Sequence, residues 1–151
     1  MFENFSDQSR VWVYPSSRVL NDEDKISICK QLDTFMSNWN AHGTPIKGAY
    51  SIFANNFIVL IADETYSKAS GCSIDSSVKC VKSIGNQLNI DFFNRLSVII
   101  EKDNQIQRVS FVDLTNESSV WVFDTSITKL SEFRTVFKVP VQNYLNKLLV
   151  R

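Results

Sequence analysis

Apolar residues alternate between two spacings along this chain, and the boundaries between the spacings mark its elements. Phe57 to Ala62 runs for six residues without a polar break, the pattern of a strand buried on both faces. Before it, Val11 to Tyr14 reads as a short strand closed by Pro15. Asn21 then caps a helix whose first turn carries Asp22, Glu23 and Asp24, the charge sign a helix start favours. Ile28, Cys29, Leu32, Phe35, Met36 and Trp39 follow at helical spacing, and Gly43 is expected to end that helix. Gly48 to Ala54 alternates as a strand, and Asn55-Asn56 supplies a tight turn into Phe57.

Beyond an Asp63–Cys72 loop, Ile74, Val78, Val81, Ile84 and Leu88 form the apolar stripe of a second helix. Leu96 to Glu101 and Ile106 to Val112 read as strands around a polar turn, and Val120 to Phe123 as another. Thr128 starts a brief helix through Phe137. Pro140 opens a last one with Val141, Tyr144, Leu145, Leu148 and Leu149 on one face. The order β-α-β-β-α-β matches the ferredoxin-like split βαβ arrangement, here with a C-terminal β-β-α-α extension. The expected fold is therefore α+β: one domain over residues 1–151, an antiparallel sheet, and helices mainly on one face. In that topology the His42 turn, Asp63-Glu64 and Cys72 to Asp75 meet at one end of the sheet. Ser16-Ser17-Arg18 and Arg95 fall at the other.

Composition narrows the function classes. Sixteen Lys and Arg balance sixteen Asp and Glu without a run of either sign, which argues against a nucleic-acid partner. The polar stretch Met1 to Arg10 lacks the apolar centre of a signal peptide, and six apolar residues fall far short of the roughly 20 that span a bilayer. Three cysteines, with no C-x-x-C pair, predict reduced thiols and a cytoplasmic protein.

Ser70-Gly71-Cys72-Ser73-Ile74-Asp75 is the stretch richest in candidate chemistry. Unpaired N–H groups at a helix start favour a thiolate at Cys72 and an anion near Ser70, Gly71, Ser73 and Asp75. His42, read as following a helix C-terminus, is favoured as imidazolium, so Cys72 and His42 form a candidate dyad. Asp63 or Glu64 would orient the imidazole. The competing reading makes Cys72 a small packing residue, His42 a cap on helical carbonyls, and Ser73 with Asp75 a helix cap. Paired metal-ligand spacing is missing, so no metal is expected. No cofactor is implied. Arg18 and Arg95 read as surface cations. At least two of Trp12, Trp39 and Trp121 occupy core positions.

Val11-Trp12-Val13-Tyr14-Pro15-Ser16-Ser17-Arg18, Trp39-Asn40-Ala41-His42-Gly43, Asp63-Glu64, Ser70 to Asp75, Phe92-Phe93-Asn94-Arg95 and Val139-Pro140 span nearly the whole chain. Together they resemble a family of uncharacterised bacterial proteins often labelled ABC transporter ATPase. The resemblance implies no catalytic residues. Members carry a Trp-His pair shortly after Val-Pro, where this chain has Tyr144-Leu145. The ATPase label fails on chemistry. A P-loop needs G-x-x-x-x-G-K-[ST] between strand and helix. The nearest match, Gly43-Thr44-Pro45-Ile46-Lys47-Gly48, has its lysine inside the glycines, and Ala49-Tyr50 follow.

The sequence thus points to a small-molecule-binding domain around His42, Asp63, Glu64 and Cys72 to Asp75, with thiol-dependent catalysis as one option. The alternative is a non-catalytic interaction or regulatory domain that holds a protein partner on its sheet or last helix.

Overall fold

In the computed structural model, which describes residues 1–65 and 67–150, the strands divide between two main sheets. β1 (Arg10–Pro15), β4 (Lys47–Phe53) and β5 (Phe57–Asp63) form the first, with β5 in the centre and antiparallel to both neighbours. The expected interior place of Phe57–Ala62 is observed, and all six residues are fully buried. Alternation along β5 splits its side chains between two cores. Ile58 and Leu60 pack on α1 (Asp22–Asn38) and α2 (Gly71–Leu88), whereas Phe57, Val59 and Ile61 face the second sheet.

That second sheet has the order β7-β6-β8-β9. It comprises β6 (Ser97–Lys102), β7 (Gln105–Ser110), β8 (Trp121–Phe123) and β9 (Lys138–Pro140), with antiparallel neighbours. Its far face is covered by α4 (Val141–Leu149), through Val141 and Tyr144 on Val98, Ile100 and Val122. The result is four layers: a helix pair, two sheets, and a single helix. Seven phenylalanines join the inter-sheet core, including Phe133 from the short α3 (Leu130–Thr135). Phe57 stands 5.2 Å from Phe123 and 5.1 Å from Phe137, centroid to centroid. Such tilted and edge-on pairs add about 0.5–1.5 kcal/mol each beyond burial, which makes this cluster the main tie between the sheets.

The α+β class and antiparallel pairing hold, but the ferredoxin-like sheet does not close. Its fourth strand, expected beside β1, is β6, and β6 lies in the second sheet. Two features direct it there. The outer edge of β1 is occupied by residues 128–130, through Val11 N–H to Thr128 O at 3.0 Å and Leu130 N–H to Ser9 O at 2.9 Å. β6 is also apolar on both faces, with Ile99 toward the first sheet and Val98 and Ile100 toward α4. Helices therefore cover two outer faces rather than mainly one.

Several local expectations shift as well. α1 is capped by Asn21, whose side chain accepts from Asp24 N–H at 2.8 Å, but it ends at Asn38, before Gly43. Residues 40–45 instead make a small hairpin of β2 (Asn40–Ala41) and β3 (Thr44–Pro45), turned by His42 and Gly43 at φ 53° and 84°. The turn into β5 takes its positive φ from Ala54 and Asn55, while Asn56 is buried. α3 starts at Leu130 and has no side-chain cap from Thr128. Pro140 closes edge strand β9, where its missing N–H costs no ladder bond, before α4 begins. Tyr66, within the expected Asp63–Cys72 loop, lies outside the described residues.

Candidate functional site

The start of α2 is built as the sequence suggests. Ser70 caps it by accepting from Ser73 N–H at 3.1 Å, and Ser73 Oγ reciprocates from Ser70 N–H at 2.6 Å. Trp39 braces this turn: its indole N–H donates to Ser73 O at 2.9 Å in a buried contact. The Trp39 ring lies on β4 where Gly48 leaves room, since a Cβ there would sit 2.7 Å from the ring. Beside this brace opens a cleft of about 460 Å³, whose lining includes Asn40, His42, Ser70, Cys72, Ser73 and Ser76.

His42 and Cys72 are thus brought to one cleft, both exposed, with no hydrogen bond between them among the described residues. His42 sits in the hairpin turn, four positions past Asn38. A helix dipole acts within the last turn, and His42 lies beyond it. Asp63 and Glu64 do not line the cleft; they shape the loop before α2. Asp63 Oδ1 accepts from Thr65 Oγ1 at 2.6 Å and Thr65 N–H at 3.0 Å, and Lys47 Nζ lies 3.7 Å from Asp63 Oδ2. The Thr65 bonds, then Lys47, hold the Asp63 carboxyl below its ordinary range. Glu64 Oε2 accepts from Ala69 N–H at 2.8 Å. Gly71 and Asp75 are exposed and outside the cleft lining. Among the described residues no group of three His, Cys, Asp or Glu could hold a metal ion.

A larger cleft, missed in the sequence, lies between the sheets on the side bounded by α2 and α4. It encloses about 690 Å³. Tyr14, Phe92, Phe93, Phe111 and Tyr144 supply aromatic walls, and Lys82, Arg95, Asp124 and Thr125 supply polar groups. Burial pushes the Tyr14 phenol upward, so it stays protonated at neutral pH. Asp124 is 2% exposed and paired with Lys147, while its Oδ1 accepts from Ser126 Oγ at 2.6 Å. Burial pushes Asp124 upward, but the Lys147 and Ser126 bonds outweigh it and leave the carboxyl below its ordinary value. Lys82 lies 5.4 Å from the Phe93 ring centroid, a cation–π contact, and neither Lys82 nor Arg95 has an ion-pair partner among the described residues.

Pro15, Asn94, Ser97 and Ile99 also line a smaller polar pocket of about 220 Å³, so it adjoins the larger cleft. Arg108 reaches into it from β7. Its Nε–H donates to Ser16 O at 2.9 Å, and Nη2–H donates to Ser16 Oγ at 3.2 Å and to Asn56 Oδ1. One sequence signal pointed to this residue: Arg108 shares strand parity with apolar Ile106 and so must face the first sheet. Asp124 carries a weaker signal, as a lone carboxylate directly after the buried Val122-Phe123 pair. Arg18, expected as a surface cation, is half-buried: it pairs with the buried Asp24 at 2.5 Å and donates to Leu88 O at 3.0 Å.

No helix among the described residues is long and apolar enough to cross a membrane. No family model, curated protein or solved structure matches the chain, so the family resemblance rests on its sequence motifs alone.

Proposed function

We propose that the protein is a small-molecule-binding domain whose site is the inter-sheet cleft. The observation that carries this reading is an aromatic-walled cavity of about 690 Å³ edged by Lys82 and Arg95, two cations without carboxylate partners among the described residues. That volume and mixture suit an apolar ligand oriented by a few polar groups. Saturation-transfer NMR with a panel of aromatic and aliphatic fragments tests it. Binding is expected in the wild type and in Cys72→Trp, and lost in Ser97→Trp, which fills the inter-sheet cleft. Binding lost in Cys72→Trp but kept in Ser97→Trp would move the site, and a panel without binders would end the reading.

A second reading, thiol-dependent catalysis, is favoured by one observation: His42 and Cys72 line the same cleft. Cys72 is exposed, Cys29 and Cys80 are half-buried, and burial raises the Cys80 thiol. Iodoacetamide is therefore expected to label Cys72 first. A dyad requires His42→Ala to slow that labelling near neutral pH. An unchanged rate would leave exposure as the whole cause and remove the catalytic reading.

A further inference from the structure

We infer that the inter-sheet cleft takes a carboxylate with an apolar body, its head seated on the free edge of Arg108 and its body along the aromatic walls. This rests on the binding reading above and names the ligand class.

Arg108 has an incomplete set of partners among the described residues. Arg108 places Nε and Nη2 on Ser16 and Asn56, a clip from β7 to the ends of β1 and β5. Both N–H groups of Nη1 are left without a partner among the described residues. No carboxylate pairs with the guanidinium either. Asp91 lines the same pocket, but its Oδ1 accepts from Phe93 N–H at 2.8 Å, and it forms no ion pair with Arg108. Burial accordingly disfavours the charge. Arginine nevertheless stays protonated at neutral pH. A half-buried cation with two open donors beside a cavity is a ready receptor for an oxyanion, because charge-assisted bonds to guanidinium are among the strongest available.

Charge in the surroundings selects among oxyanions. Asp124 is already neutralised by Lys147. The two adjoining cavities then present Lys82, Arg95 and Arg108 against the Asp91 carboxylate. The positive excess favours an anion, while Asp91 beside the head opposes a phosphate dianion more than a carboxylate. Ser17, Asn94 and Ser97 add polar groups around the head. The pocket of about 220 Å³ has room for a carboxylate and a short stem, so the apolar remainder must extend past Ser97 and Ile99 into the larger cleft.

The test compares 6-phenylhexanoate with its neutral isostere 6-phenylhexanamide by calorimetry on the wild-type protein. The carboxylate is expected to bind at least about tenfold more tightly, the scale of one charge-assisted hydrogen bond. Arg108→Gln should abolish that preference, so that the two probes bind alike. Because Arg108→Gln also weakens the clip to Ser16 and Asn56, Arg95→Ala is measured alongside; Arg95 has no ion-pair partner among the described residues, and the preference should survive its removal. Equal affinity of the two probes overturns the carboxylate assignment and leaves the binding reading standing. A preference lost in Arg95→Ala but kept in Arg108→Gln also overturns it, by placing the head at the cleft mouth. Failure of both probes to bind overturns the inference and the binding reading together.

Discussion

The two clefts on either side of α2 differ in what their polar groups are already doing. At the His42–Cys72 cleft, Ser70 and Ser73 close a capping box, Trp39 is spent on Ser73 O, and Asp63 and Glu64 hold the preceding loop. In the inter-sheet cleft and the pocket beside it, Lys82, Arg95 and the Nη1 edge of Arg108 lack carboxylate partners among the described residues. A polar cluster that is consecutive in sequence satisfies itself through local caps and turns. Groups brought together by tertiary structure have no such obligation, and a ligand can complete them. The contrast can be broken or sharpened by four substitutions.

Phe123→Ala should have the largest effect. Phe123 is 5% exposed, lines the inter-sheet cleft, and packs on Phe53, Phe57 and Phe137. Its removal should cost about 3–5 kcal/mol in urea denaturation. A loss below about 1 kcal/mol would mean that the two sheets are not held by this cluster.

Asp124→Asn comes next, at roughly 1–3 kcal/mol near pH 7, from charged hydrogen bonds lost in a buried site. The sign with pH follows from the lowered Asp124 pKa. A carboxyl depressed in the folded state contributes stability fully present above its unfolded value, about 3.9, and lost as pH falls through the folded value. Acid titration of thermal stability should thus show a loss below about pH 4 in the wild type, and a shallower one in Asp124→Asn. Parallel curves would show that Asp124 is not held as described.

Ser70→Ala should cost about 1 kcal/mol, as loss of an N-cap does, with no effect on ligand binding in the inter-sheet cleft. Weakened binding would tie the cap to the site. Cys72→Ser should be the mildest, within about 0.5 kcal/mol by denaturation, because the residue is exposed. A cost of several kcal/mol would contradict its placement at the rim.

Much of the fold was legible because hydrophobic spacing carries it. Asn21, the α1 stripe, β5 and the α4 stripe all follow from local pattern. The second sheet was not read, although Val98-Ile99-Ile100 repeats in short the unbroken apolar pattern of β5 and marks a strand covered on both faces. Strand pairing is a long-range choice, and β1 gave its free edge to residues 128–130, a segment too irregular to show a period. For the sites, sequence neighbours drew attention to Ser70–Asp75. Arg95 and Asp124 line one cleft and Arg108 the pocket beside it, but they are not neighbours in sequence, and the first sheet supplies the facing walls. Cys72 and His42 do share a cleft, as the sheet-end reasoning anticipated, but Asp63 and Glu64 are not with them.

Chemical-shift mapping of 6-phenylhexanoate on ¹⁵N-labelled protein tests the central claim most directly, because it shows which cleft fills. Saturable shifts should centre on Asn94, Ser97, Ile99 and Thr125, with the Arg108 side-chain Nε–H among them, and leave Asn40, His42 and Cys72 unmoved. Shifts centred instead on Asn40, His42, Cys72 and Ser76, with the inter-sheet residues silent, would contradict it.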